Sequence, residues 1–462
     1  MKRHHVVTLL LAAGIATPFL LRIQPVSSAT PAARDPGIRS GASAGNPLPG
    51  LTPGQLAMFN ASKAAFMEAE DVGDGLGPTM NLDSCVGCHA YPTVGGSSPR
   101  ANPQMAFAKS VGAANVIPSF IALNGPVREA RFVKNADGSP DGGVHALFTI
   151  GGRTDAPGCT LAQPDFETAV ANDNVIFRIP TPLFGSGLIE QIPDSAIVAN
   201  QVANASTKQL LGIRGRPNIV LSGNAISGQP NLNGNDGTSA RFGWKAQNKS
   251  LLLFAGEAYN VEMGITNELF QTERDETPQC QFAAMPNDVI NTDAQTPADA
   301  LSDIDKFALF MRFLAPPVPS PTFPGGAASI NRGKSLFSAI GCAHCHTPTL
   351  TTANSSVAAL SKKPVNLYSD LLIHDMGSGL ADGVSQGQAG PSEFRTAPLW
   401  GLGQRIYFLH DGRTSDLLVA IRQHQSAGTR TQDASEANAV IANFNRLSEP
   451  DKQNLLNFLR SL

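Results

Sequence analysis

Cys85-Val86-Gly87-Cys88-His89 recurs as Cys342-Ala343-His344-Cys345-His346, and the reading of this pair decides the fold. In Cys-x-x-Cys-His, two thiols add across the two vinyl groups of one porphyrin edge, and the next residue places its imidazole under the iron. Zinc would require two further ligands at each site. An exported redox dithiol has no use for the adjacent histidine twice. The pair therefore implies two covalent haem c groups, attached through Cys85, Cys88, Cys342 and Cys345, with His89 and His346 as proximal iron ligands.

The surroundings of the two motifs match. Thr52-Pro53-Gly54-Gln55 is a capping box with Pro at the first helical position, opening a helix with Leu56, Phe59, Phe66 and Met67 on one side. Thr296-Pro297-Ala298-Asp299 starts another, with Leu301, Ile304, Phe307, Ala308 and Met311 at helical spacing. Beyond a Pro-rich, uncharged run, Ser329 can cap a helix carrying Ile330, Phe337 and Ile340 into the second motif. The chain ends in a helix capped by Ser448, with Leu455, Leu456, Leu459 and Leu462 on its apolar face. Between about 100 and 290, short extended runs (Arg131–Val133, Ala146–Ile150, Val175–Ile179) alternate with Gly, Asn and Pro turns. The repeated order predicts a mainly α protein of two class I cytochrome c-like domains. The first, residues 51–314, has a large irregular insertion containing short strands; 315–326 is the linker, and 327–462 the second domain.

The rest of the chain bounds the setting. It has 462 residues, 42% hydrophobic and 15% charged, with 44 Gly and 34 Pro, which describes a loop-rich globular protein. A net charge of −3 without basic patches excludes nucleic acid as a partner. Lys2, Arg3 and the apolar run Val6–Leu21, followed by Ser27 and Ala29, read as a signal peptide over 1–29; a retained anchor is the alternative. Residues 30–50, rich in Ala, Gly, Ser and Pro, read as a disordered leader. The mature chain is expected to be periplasmic or otherwise exported, with no membrane span. Cys159 and Cys280, outside the haem motifs, suit a disulfide in an oxidising compartment, or else two free thiols.

Four stretches carry a family resemblance: Cys85–Gln104, Phe177–Pro193, Leu367–Gly383 and Glu393–Arg413. They resemble the di-haem oxidoreductase family, also described as thiol oxidoreductases, which is related to the bacterial di-haem cytochrome c peroxidases and to the enzyme that matures methylamine dehydrogenase. The resemblance implies that His424, fourteen residues after His410 of a Phe-x-His-Asp-Gly segment, is the sixth ligand of the C-terminal haem. The peroxidases have Met there, and an imidazole instead lowers the expected potential. It also implies that Glu262 lies over the open face of the N-terminal haem as a proton shuttle; an exposed helix-end carboxylate is the bland reading. Trp244 is either an electron relay between the haems or a core residue. His145 is the first candidate for the far face of the N-terminal iron and Met105 the second, with an open iron as the alternative.

Together these readings describe a peroxidase-like oxidoreductase in which a C-terminal relay haem passes electrons to an N-terminal substrate haem. Its partners would be a small redox protein or other electron donor or acceptor, with hydroperoxide as substrate. A non-catalytic di-haem electron carrier and a haem-based redox sensor are the alternatives.

Overall fold

The structure is a computed structural model and describes residues 31–40, 44–113, 116–141, 144–145, 153–221, 225–226, 229–230, 236–272 and 277–462. The signal segment 1–29, the extended run Ala146–Ile150 and the side chain of His145 lie outside the described residues. The described chain is mainly α, with short antiparallel strands and no barrel. None of its helices is long and apolar enough to cross a membrane.

Thr52 accepts from the Gln55 amide while the Gln55 side chain accepts from the Thr52 amide, so helix α1 (Pro53–Phe66) begins where the capping box places it. Its buried face is Phe59, Ser62, Ala65 and Phe66; Leu56 and Met67, expected on that face, are exposed. Helix α2 (Leu251–Met263) is capped by the Ser250 hydroxyl and ends at Gly264, whose φ of 71° suits a left-handed cap. Helix α3 (Asp303–Phe313) is interrupted from its expected start. Leu301 turns extended after the single turn that Thr296 caps, and Ser302 begins the helix afresh. These helices pack through an aromatic cluster. Phe66 meets Phe310 at 4.9 Å and Phe307 at 5.9 Å, and Tyr259 meets Phe307 edge-on at 5.0 Å.

The C-terminal half repeats the pairing. Helix α4 (Gly326–Ala339) starts four residues earlier than a Ser329 cap would place it, with Gly325 in the left-handed conformation before it. It crosses helix α5 (Glu449–Ser461), capped by Ser448, with Phe337 against Phe458 at 5.5 Å. A Cβ at Gly333 would stand 2.0 Å from the Asn454 carbonyl, so only glycine allows this approach.

The segment expected to be disordered and the one read as a linker are both bonded to neighbouring chain. In the leader, Asp35 pairs with Arg460 at 2.6 Å and accepts from the Leu417 amide, the Ala33 amide donates to Glu449, and the Arg39 amide donates to the Gly403 carbonyl. Residues 31–40 thus run as a strap across the C-terminal half. The Pro-rich run is tied as well: the Ser320 amide donates to the Ser461 carbonyl, and Arg39 donates to the Val318 carbonyl. Composition hid both, since Pro and Gly remove helix and sheet but leave carbonyls and amides for side chains and neighbouring backbone to use.

Strands β1 (Glu129–Phe132), β2 (Val144–His145) and β3 (Val175–Arg178) form one sheet in the order β2-β1-β3, with His145 opposite Ala130. A second pair, β4 (Ile373–Asp375) and β5 (Glu393–Arg395), lies in the C-terminal half. Cys159 and Cys280 stand with their sulfurs 2.10 Å apart.

Candidate haem sites

Each Cys-x-x-Cys-His motif lines its own cavity. The first, about 1300 Å³ including space open to solvent, holds Cys85, Cys88 and His89 together with Glu262. The second, about 1370 Å³ on the same measure, holds Cys342, Cys345, His346 and His424. Trp244 lines both.

The local chain prepares both proximal imidazoles in one way. Cys85–Cys88 forms a single helical turn, and Cys342–His344 a 3-10 turn. His89 Nδ1–H donates to the Gly96 carbonyl at 2.9 Å, and His346 Nδ1–H to the Tyr368 carbonyl at 3.0 Å. Each bond selects the tautomer that leaves Nε2 for an iron. Burial pushes both rings down to about 4, so both are neutral, as ligands must be. Burial, reinforced by Glu262, holds the Cys85 thiol far above its usual range, and burial pushes Cys342 up to about 12. Thiolate chemistry is therefore disfavoured at either motif. The donors fit haem c, and the Gln104 side-chain carbonyl oxygen, buried at the wall of the first cavity without a hydrogen-bond partner among the described residues, is a polar atom suited to a group bound there.

Helix α2 and strand β1 supply the other polar wall of the first cavity. From α2 come Glu257 and Glu262; from β1 come Glu129 and Arg131, ion-paired at 2.7 Å. Glu262 is exposed, and the space it faces is the cavity. Surrounding protein, and then Glu129, push its carboxyl up to about 8, against the pull of Arg131. Burial also raises Glu257, which accepts from the Asn248 amide group. Sequence reasoning found Glu262 but missed Glu129, Arg131 and Glu257. The available signal was two charges alternating with Ala130 and Phe132 along one short strand, which puts both on one face.

The second cavity is mostly apolar. His424 Nδ1–H donates to the Ala420 carbonyl at 2.9 Å, which leaves its Nε2 available as it is in His346. Met376 and His410 also line this cavity. His410 stacks on Phe394 with ring centroids 4.4 Å apart. His374 is there too, but both its nitrogens are taken, Nδ1 by Glu436 at 2.7 Å and Nε2 by Asp370 at 2.9 Å. Burial opposes charge on this ring, yet Cys345 and Asp370 outweigh it and raise the pKa. Cys345, Asp370 and His374 offer ligand atoms within 4.8 Å of one another, but those two bonds leave the ring nothing to give a metal.

Between the cavities, Trp244 Nε1–H donates to the Ile179 carbonyl at 2.9 Å, and its ring meets His410 edge-on at 6.4 Å. Met105 packs in a separate cluster around Ala108 and Phe166 and lines neither cavity; Met80, Met263 and Met311 line the first. Strand pairing carries the His145 backbone beside β1.

A sequence profile described as "Di-haem oxidoreductase, putative peroxidase" matches residues 129–462. No curated protein matches the chain. Among solved structures, one of Kuenenia stuttgartiensis hydrazine synthase under xenon pressure aligns at 16% identity, over 36% of this chain and 56% of that one, with a TM-score of 0.22. At that score the likeness carries no argument.

Proposed function

The chain belongs to the di-haem oxidoreductase family, and from that premise we propose that it is an exported, peroxidase-like enzyme with two covalent haem c groups, one in each of two cytochrome c-like domains. The N-terminal haem, attached through Cys85 and Cys88 on His89, is the substrate haem. Cys342, Cys345, His346 and His424 would hold the C-terminal haem, which is the relay. The observation that carries this division is the chemistry of the two cavities: Glu129, Arg131, Glu257 and Glu262 share one with His89, while a second free imidazole nitrogen shares the other with His346.

Haem supplies the iron to which a hydroperoxide can bind and through which electrons arrive. The chain's own residues do the rest. In its deprotonated form, Glu262 would take a proton from hydroperoxide in this cavity and return it to the departing oxygen. Arg131 and Glu129 set the charge that Glu262 experiences. For hydrogen peroxide the balance is two electrons and two protons in, two waters out. The electrons come from a small redox protein or other external donor, and Trp244, in the wall of both cavities, lies on the path from one haem to the other.

Optical spectra of the purified protein, oxidised and half-reduced, with and without hydrogen peroxide, test the reading. A peroxide-sensitive high-spin haem is expected in the half-reduced state. Two low-spin haems that ignore peroxide would favour the electron-carrier reading instead.

A further inference from the structure

We propose that Arg395 and Arg405 clamp the propionate groups of the C-terminal haem, at the seam beside Trp244. The inference rests on the di-haem reading and adds the orientation of one haem within it. Both arginines line the second cavity, and both line the narrow cleft that runs from it past Trp244 and Thr181 toward the first. Arg395 is placed by the end of β5. Its amide donates to the Trp244 carbonyl at 2.9 Å and its Nε to the Gly243 carbonyl at 2.9 Å, which leaves the two terminal nitrogens without a partner among the described residues. The Arg405 guanidinium has no hydrogen-bond or ion-pair partner among the described residues.

Four other buried arginines are each paired with a carboxylate. Arg178 has Asp382 at 2.7 Å, Arg460 has Asp35 at 2.6 Å, Arg131 has Glu129 at 2.7 Å, and Arg153 has Asp155 at 2.5 Å. A buried cation without a counter-charge is costly to keep. Burial lowers both Arg395 and Arg405 to about 10, and each is lowered further by another arginine, Arg405 in the first case and Arg460 in the second. Both remain cations at neutral pH, and neither is drawn upward by a carboxylate. Two adjacent guanidinium forks facing one cavity call for two anionic, planar acceptors, which is the chemistry of a pair of carboxylates. The haem c that Cys342 and Cys345 would hold there carries two propionates. With these at Arg395 and Arg405, the propionate edge of the relay haem faces Trp244 and the first cavity.

Potentiometric titration of the full-length, haem-loaded protein tests this, with resonance Raman spectra of the propionate-bending band. Arg395→Gln and Arg405→Gln should each lower the potential of the C-terminal haem, because a positive charge that opposes oxidation is lost, and should move its propionate band. The N-terminal haem should keep its potential. Arg405→Lys keeps the charge but not the fork, so the band should move while the potential largely holds. If a Gln variant does not accumulate, the Lys variant decides alone, and an unmoved band overturns the clamp. Unchanged potentials in haem-loaded Gln variants, or a shift confined to the N-terminal haem, also overturn it. Neither result touches the peroxidase reading, which fails only if peroxide is ignored.

Discussion

The two cavities begin from the same five-residue motif and end as different chemical environments. Around His89 the walls carry three glutamates and three arginines, brought by a helix and by strand segments that lie far apart in sequence. Around His346 the walls are mostly apolar, and His424 presents a second imidazole whose Nδ1–H is already engaged. Acid–base groups poised at shifted pKa suit a site where protons must move. Two imidazoles with Nδ1–H engaged, in a mostly apolar shell, suit a site where only electrons must. The difference lies in what each half packs above its motif rather than in the motif itself.

The first way to break the comparison is to remove the acid–base function from the first cavity. Glu262→Gln keeps the shape and loses the proton shuttle, so peroxide turnover should fall by ~10²–10⁴-fold while both haems stay attached. Steady-state peroxidase assays, with intact mass to count haems, check it. An undiminished rate would return Glu262 to an ordinary helix-end carboxylate.

A second change acts only on the frame of the first half. Replacing Cys159 and Cys280 by Ser should lower stability by ~2–5 kcal/mol, because the pair closes a long loop. Denaturant titration measures the loss, and the potential of the C-terminal haem should not move. Two thiols open to alkylation in the denatured, unreduced wild type would show that the bond does not form.

The second cavity is sharpened by His424→Met. A thioether in place of imidazole should raise the potential of that haem and bring in a sulfur-to-iron charge-transfer band. No change in spectrum or potential would move the ligand to Met376 or His410, which share the cavity.

The smallest expected effect concerns pH. Glu262 holds its proton up to about 8 in the folded chain, whereas an unfolded glutamate releases it near ~4.3. Between those values the folded state binds more protons than the unfolded, so this group's contribution to stability declines as pH rises through the window. Glu262→Gln removes that slope. The variant's Tm should fall less than the wild type's between about pH 5 and 8, and identical slopes would place the carboxylate's proton elsewhere.

The two Cys-x-x-Cys-His motifs could be read from the chain because their spacing is local, and nothing in the fold can alter it. Helix starts at Thr52 and Ser448 were legible for a similar reason, since a cap is a local bond. What could not be read depends on distant partners. Glu129 and Arg131 matter because β1 stands against α2, a juxtaposition that a four-residue strand does not announce. The strap at Ala33, Asp35 and Arg39 is held by Glu449, Arg460, Leu417 and Gly403, all at the far end of the chain, so its composition reads as disorder. Leu56 and Met67 satisfied helical periodicity and were still left outside, since the stripe that meets α3 runs through Phe59 and Phe66.

The central claim is that the first haem works on substrate while the second only passes electrons. The most direct test is the spin state of the protein reduced by one electron, followed optically and by electron paramagnetic resonance as hydrogen peroxide is added. The account predicts one high-spin haem that responds to peroxide and one low-spin haem with two imidazole ligands. Two low-spin haems, unchanged by peroxide in both the wild type and Glu262→Gln, would contradict it.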